Sequence, residues 1–78
     1  MEYVVRSGRV VWYDVARGYG FVRDLREDAP VFITKNVLDD FGVTGLNSGS
    51  EILFELVHGL SSARVFSIKR LTAGPTLH

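Results

Sequence analysis

The stretch that decides the fold is Arg17-Gly18-Tyr19-Gly20-Phe21-Val22. Successive side chains of a β-strand point to opposite faces of its sheet, so Tyr19 and Phe21 share one face while Val22 lies on the other. The glycines beside the rings carry no side-chain bulk and leave room for a ligand to approach. The pattern therefore predicts a strand that buries Val22 and presents two aromatic rings on its outer face.

A second stretch, residues 31–34 (Val-Phe-Ile-Thr), predicts the complementary arrangement. Its valine and isoleucine point inward, so Phe32 and Thr34 point outward. Trp12 ends an earlier apolar stretch, just before the turn that leads to residue 17. If the three strands are neighbours, their rings form one aromatic surface, which consists of Trp12, Tyr19, Phe21 and Phe32.

The 78-residue chain contains five short apolar stretches divided by turn residues, a pattern typical of an all-β barrel or sandwich. These stretches are residues 3–13, 18–25, 31–35, 51–57 and 64–71. Gly8 interrupts the first and predicts a bulge or bend there. Between the third and the fourth, Asn36 can cap a single helical turn and Gly42 can end it. We expect one domain over residues 1–71 and a flexible tail over residues 72–78.

Aromatic rings in a small β-domain usually belong to the core, so each of the four rings taken alone is better assigned to the interior. The other apolar residues, however, already suffice for a core of this size. This predicted core consists of Val10, Val22, Val31, Ile33, Ile52, Phe54, Leu56, Phe66 and Ile68. The rings are therefore predicted to be exposed and flanked by Arg17, Arg23 and Lys35, and an exposed aromatic patch normally marks a binding site.

Charge and composition restrict the possible functions. The net charge is zero, which argues against binding driven by bulk positive charge but is compatible with base stacking on aromatic rings. The chain has no cysteine, so disulfides and thiolate metal sites are excluded. His58 and His78 lack metal-ligand spacing and no nucleophile–base pair is visible, so we expect no metal, no cofactor and no enzymatic activity. The lack of a long apolar run predicts a cytoplasmic protein, cytosolic or nucleoid-associated, without a membrane partner.

Residues 8–14 (Gly-Arg-Val-Val-Trp-Tyr-Asp) followed by residues 17–22 resemble the opening of a cold-shock domain, whose pattern is G-x-V-K-W-F-N and then K-G-[FY]-G-F-I. Residues 31–34 and 46–49 stand where that family has V-F-V-H and L-x-E-G, and the resemblance covers roughly residues 6–70. It implies an all-β fold, a five-stranded antiparallel OB-type barrel. It also implies binding of single-stranded RNA or DNA and, in many members, RNA-chaperone activity.

The resemblance assigns roles to individual residues. Base stacking falls to Trp12, Tyr19, Phe21 and Phe32, and a phosphate contact falls to Arg17. Charge alone suggests a second phosphate contact at Lys35. We therefore expect a non-catalytic nucleic-acid-binding protein of the RNA-chaperone or cold-shock regulator type.

The chain also departs from the family pattern at the expected binding surface. Thr34, Lys35 and Val43 stand where the family has a histidine and two aromatic rings, so affinity should be weaker. The further departures are Val11, Asp14, Ser62 and Ala63. Two alternatives stay open at this point: a cold-shock-like barrel that binds a protein partner through the same rings, and one half of a longer two-domain protein. The sequence does not predict the oligomeric state.

Overall fold

A computed structural model describes residues 2–58 and 63–72 and contains five strands and one short helix. The elements are β1 (Glu2–Asp14), β2 (Tyr19–Asp24), β3 (Ala29–Thr34), α1 (Lys35–Phe41), β4 (Glu51–His58) and β5 (Val65–Thr72). All five strands belong to one antiparallel sheet in the order β3-β2-β1-β4-β5. The predicted all-β, five-stranded antiparallel fold of the OB type is confirmed. The predicted tail lies almost entirely outside the described residues, so the domain boundary stays a prediction.

Strand β1 is long because it serves two partners in turn. Residues 2–9 pair with β4, whereas residues 8–14 pair with β2. Gly8 belongs to both ladders, and a Cβ atom there would lie 2.6 Å from the Arg23 carbonyl oxygen and 2.7 Å from Phe54 Cε1. Of the bulge or bend predicted at Gly8, the bulge is wrong, because the β1–β2 register shifts between Val10 and Trp12 instead, and the bend stays a prediction. Gly8 is required for the close approach of strands and core, not for a bulge.

Within residues 2–58 and 63–72 the sheet is not closed into a complete barrel, in contrast to the expected closure. Its two edge strands meet at a single parallel bridge between Phe32 and Arg64, where the Phe32 N–H donates to the Ala63 carbonyl at 3.1 Å. Helix α1 packs against β5 beside this contact and buries Val37 and Leu38. The helix therefore supplies core side chains at the edge where the strands do not form a ladder.

Helix α1 begins two residues earlier than expected. Thr34 is its N-cap and makes no side-chain capping bond, so the predicted cap at Asn36 is wrong. The predicted end at Gly42 is confirmed: Gly42 has φ 94°, and its N–H donates to the Leu38 carbonyl at 2.9 Å. Glycine suits this left-handed C-terminal position because it has no Cβ atom.

The core contains every predicted member except Phe66, which is 52% exposed. The β4–β5 register shifts between Glu55 and Leu56, so Leu56 pairs with Val65 and Phe66 turns outward. Strict alternation along β5 predicts Phe66 on the same, buried face as Ile68. The shift gives the inward position to Val65, and the core members that the sequence did not predict are Val37, Leu38 and Val65.

A buried ion pair ties the first half of β1 to the end of β2. Arg6 Nη1 lies 3.3 Å from Asp24 Oδ2, and the two side chains are 10% and 4% exposed. Asp24 also accepts hydrogen bonds from the backbone N–H groups of Arg26 and Glu27, which begin the turn to β3. This carboxylate is thus satisfied on both oxygens, as a buried charge requires.

Candidate nucleic-acid interface

The four predicted rings lie together on the outer face of β1, β2 and β3. Trp12 is 5.6 Å from Tyr19 and 5.8 Å from Phe21 between ring centroids. Phe32 is 5.5 Å from Tyr19 and 5.5 Å from Phe21. Each ring therefore contacts two others in a closed group, which we call the aromatic platform (Trp12, Tyr19, Phe21, Phe32).

Strand register accounts for the positions of these rings. Phe21 pairs with Trp12 on one side and with Phe32 on the other, so three strands each bring one ring to the same level. Tyr19 precedes Phe21 by two residues, so it lies on the same face, and it pairs with Thr34. The platform therefore depends on all three strands, because no two neighbouring strands carry all four rings.

Trp12 reaches this face only because β1 is irregular. Val10 is buried, and two residues further along a regular strand would place Trp12 in the core as well. The register shift between Val10 and Trp12 inserts Val11 as an extra residue, so Val11 and Trp12 are both exposed. Tyr13 then points inward against the core, and its burial raises the pKa of its hydroxyl group.

The rings are partly accessible rather than fully exposed. Trp12 is 39% exposed, and the other three are half-buried because they pack against one another. Three of the four contacts are edge-on, with interplanar angles of 64° to 67°. Such contacts add stability to the sheet and fix the ring orientations before any ligand arrives.

Gly18 and Gly20, the two glycines beside the rings, have different structural roles. Gly20 is buried, and a Cβ atom there would lie 2.3 Å from the Trp12 carbonyl oxygen and 2.7 Å from Tyr13 Cα. The prediction that it clears space beside the rings is therefore wrong, because the backbone of β1 fills that space. Gly18 lies in the turn before β2 with φ 78°, a conformation that favours glycine.

The predicted cations stand near the platform, but each already has a carboxylate partner. Arg17 Nε lies 3.5 Å from Asp14 Oδ2, and Lys35 Nζ lies 2.8 Å from Asp39 Oδ2. Hydrogen bonding to Tyr19, followed by the nearby charge of Asp14, raises the pKa of Arg17. Hydrogen bonding to Asp39 raises the pKa of Lys35, so both groups stay charged at neutral pH.

Arg23 is paired in the same way, since its Nη1 lies 3.0 Å from Asp28 Oδ1. Each of the three predicted cations is therefore paired with a neighbouring carboxylate. The charges of these three cations are thus offset pair by pair, and the net charge of the whole chain is zero.

The structure also places a residue beside the platform that the sequence did not single out. Arg64 bridges to Phe32 across the gap between the two edge strands. Residues 32 and 64 are far apart in the chain, so no local pattern could predict their contact. Thr34 and Val43, which replace family rings, are partly buried, and Val43 packs against the core.

Comparison with curated proteins decides the family. The cold shock-like protein CspD of Haemophilus influenzae is 33% identical over 51 residues, which span 65% of this chain and 71% of the relative. The chain belongs to the cold shock protein family. CspA of Rickettsia bellii is 31% identical over 49 residues (63% of this chain, 70% of that protein). CspB of Geobacillus stearothermophilus is 27% identical over 67 residues (86% of this chain, 100% of that protein).

No family model matches the chain. Cold shock proteins are a nucleic-acid-binding family without enzymatic activity, so membership supports a nucleic-acid-binding, non-catalytic role. Within residues 2–58 and 63–72, no group of three or more acidic or histidine side chains could hold a metal ion. Among the same residues, no helix is both long and apolar enough to cross a bilayer.

Proposed function

We propose that this cold shock protein binds single-stranded RNA or DNA by stacking bases on the aromatic platform. The observation that carries the proposal is the contiguity of four partly exposed rings, with centroids 5.5 to 5.8 Å apart, on one face of the sheet. Every base has a π-face, so stacking on such rings tolerates many sequences. No cofactor takes part.

The proposed action is that of an RNA chaperone or cold-shock-type regulator. Bases that stack on the protein cannot pair with each other, so binding holds weak hairpins open without nucleotide hydrolysis. Cellular RNA or DNA as the ligand implies a cytoplasmic location, which stays a prediction.

We further propose that the affinity is low. Three positions that carry an imidazole or an aromatic ring in the family are Thr34, Lys35 and Val43 here. If each absent ring removes ~1 kcal/mol of stacking, the sum is ~3 kcal/mol, or roughly a hundredfold in the dissociation constant. The ion pairs of Arg17 and Lys35 also limit phosphate attraction, because each cation would have to share or leave its carboxylate.

Titration of Trp12 fluorescence with single-stranded dT, rU and mixed oligomers tests the proposal. Replacing Phe21 or Phe32 by Ala should each weaken binding at least about fivefold, because one base loses its stacking partner. The control is Leu25→Ala, which removes a side chain that is 50% exposed in the turn after β2. Thermal unfolding of each variant shows whether the fold persists. Unchanged affinity in both folded ring variants would contradict the proposal.

One observation favours the alternative of a protein-interaction module, which the sequence left open. The platform cations are paired with carboxylates, so the surface lacks the excess positive charge that usually attracts nucleic acid. A module of this kind would show no salt-dependent binding to any of the oligomers. The same titration at two salt concentrations therefore separates the two functions.

A further inference from the structure

A cleft of about 290 Å³ lies beside the aromatic platform, between α1 and the start of β5. Thr34, Asn36 and Asp40 line it from the end of β3 and from α1, and Arg64 and Phe66 line it from the chain around the start of β5. The cleft is open to solvent on one side. None of the four platform rings lines this cleft.

The cleft is continuous with the platform at two points. Thr34, which lines the cleft, pairs with Tyr19 of the platform. Arg64, which lines it from the other side, bridges to Phe32. A strand of nucleic acid that crosses the outer face of β2 and β3 therefore reaches the cleft without leaving the protein surface.

Phe66 offers a ring at the end of this path. The register shift in the β4–β5 ladder turns it outward, where it is 52% exposed. Its centroid lies 4.6 Å from that of Tyr3, at an interplanar angle of 49°. Contact with Tyr3 restricts the orientation of the Phe66 ring, so it is available as a stacking partner with little further ordering.

Arg64 differs from the platform cations in its charge environment. Arg17 and Lys35 each have a carboxylate partner, whereas Arg64 is exposed and forms no ion pair within the described part of the chain. An unpaired guanidinium can bind a phosphate in bidentate fashion without first giving up another partner. Asp40 also lines the cleft and disfavours a phosphate beside it, so the phosphate belongs at Arg64.

We propose that this cleft binds one further nucleotide of the strand held by the aromatic platform, with its base stacked on Phe66 and its phosphate on Arg64. The inference rests on the proposed function. It also gives the protein a stacking position outside the family pattern, on the far side of β3 from Trp12. The exposed Phe66 and the unpaired Arg64 then compensate in part for the rings absent at Thr34 and Lys35.

A length series of oligonucleotides tests the inference, with dT strands of four and eight nucleotides titrated against the full chain. The shorter strand can occupy the four platform rings, and the longer one can also enter the cleft. Phe66→Ala should weaken binding of the longer strand at least about fivefold and leave the shorter one unchanged. Phe66→Tyr keeps a stacking ring and should restore the affinity. Phe21→Ala, by contrast, should weaken both strands.

The contribution of Arg64 is tested by salt dependence. Arg64→Ala should reduce the slope of log affinity against log salt by about 0.7 for the longer strand, the value for one phosphate contact on a single strand. Arg70→Ala is the matched control, since Arg70 is an exposed arginine within β5 and lines a different cleft. It removes the same charge and should leave the slope unchanged.

The outcomes separate the inference from the proposed function. If the wild-type protein binds neither strand, the proposed function fails. If it binds both and Phe66→Ala changes neither, the inference alone is overturned. A folded Phe66→Leu variant keeps the apolar bulk without the ring, so it provides the same test if the alanine variant unfolds. A concentration-dependent dimer that Phe66→Ala abolishes, with unchanged oligonucleotide binding, would assign this surface to contacts between copies and overturn the inference.

Discussion

At the level of single residues, the stacking area of the platform is limited because neighbouring positions carry no rings. Thr34 stands beside Tyr19 in the β2–β3 ladder and is partly buried, while Lys35 is exposed at the start of α1. Both positions are therefore close enough to extend the stacking surface. Val43 packs against the core, so a larger ring there would also disturb packing, and position 43 is therefore left unchanged in the variant below.

Restoring two rings should tighten binding. Thr34→His combined with Lys35→Phe adds two stacking groups of ~1 kcal/mol each, so affinity for a short dT or rU strand should rise at least about tenfold. The loss of the exposed Lys35–Asp39 pair has little effect on stability. Fluorescence titration of Trp12 measures the change.

The matched control is Thr34→Val combined with Lys35→Leu, which changes the same positions to apolar residues without rings. Equal gains in the two double variants would show that apolar area, rather than stacking, governs this surface.

At the level of elements, two bulges and one helix end decide which side chains meet the ligand. The bulge in β1 exposes Trp12, and the shift in the β4–β5 ladder exposes Phe66. Helix α1 starts directly after β3 and ends at Gly42, so its position determines where Lys35 lies relative to the platform. A small sheet that cannot close fully depends on such irregularities to bend.

The end of α1 offers a test of local backbone geometry. Gly42 has φ 94°, and apart from its own chain neighbours no heavy atom lies within 4 Å of the position of an added Cβ. Gly42→Ala should therefore lower the free energy of unfolding through backbone strain alone, by about 1–2 kcal/mol. Gly42→Asn should cost less, because asparagine tolerates the left-handed conformation.

Urea unfolding followed by Trp12 fluorescence compares the two variants. An asparagine variant as unstable as the alanine variant would contradict the assignment of the loss to the left-handed conformation. Affinity of the folded variants for oligonucleotides should not change, since Gly42 lies outside the platform and the cleft.

At the level of the whole molecule, charge is balanced locally as well as in total. The predicted platform cations Arg17, Arg23 and Lys35 have carboxylate partners within 4 Å. Long-range attraction is therefore small, and three family rings are also absent, so exposed phosphate contacts are needed to keep the weak binding measurable. Binding should be detectable at low salt and largely lost at high salt, because the remaining phosphate contacts are exposed and screened.

Releasing one cation should therefore strengthen binding. Asp39→Asn removes the carboxylate that lies 2.8 Å from Lys35 Nζ. Affinity at low salt should rise, and the slope of log affinity against log salt should steepen by about 0.7 if Lys35 gains one phosphate contact. Near 1 M salt, where the screening length is about 3 Å, the difference from the wild-type protein should vanish.

Glu27→Gln is the control, because it changes the net charge equally at an exposed turn residue away from the platform. A similar gain in this variant would show that net charge acts without a specific contact at Lys35. An unchanged slope in Asp39→Asn would remove Lys35 from the predicted binding residues.

The sequence by itself determined the features that depend on local order. Alternation with a period of two places Val22 inward and Phe21 outward. The same rule holds for Phe32 in β3 and for Phe54 in β4, where side chains still alternate although the β4–β5 register shifts beside Phe54. The left-handed end of α1 likewise follows from glycine at position 42. The four-ring platform could be predicted because three of its rings obey this rule.

Only the tertiary structure decided the features that depend on register and on distant contacts. A one-residue shift reverses every later side chain of a strand, and the two bulges that move Trp12 and Phe66 outward arise from pairing with other strands. The contact of Arg64 with Phe32 and the ion pair between Arg6 and Asp24 join residues far apart in the chain. No local pattern encodes such contacts, because they exist only once the sheet has formed.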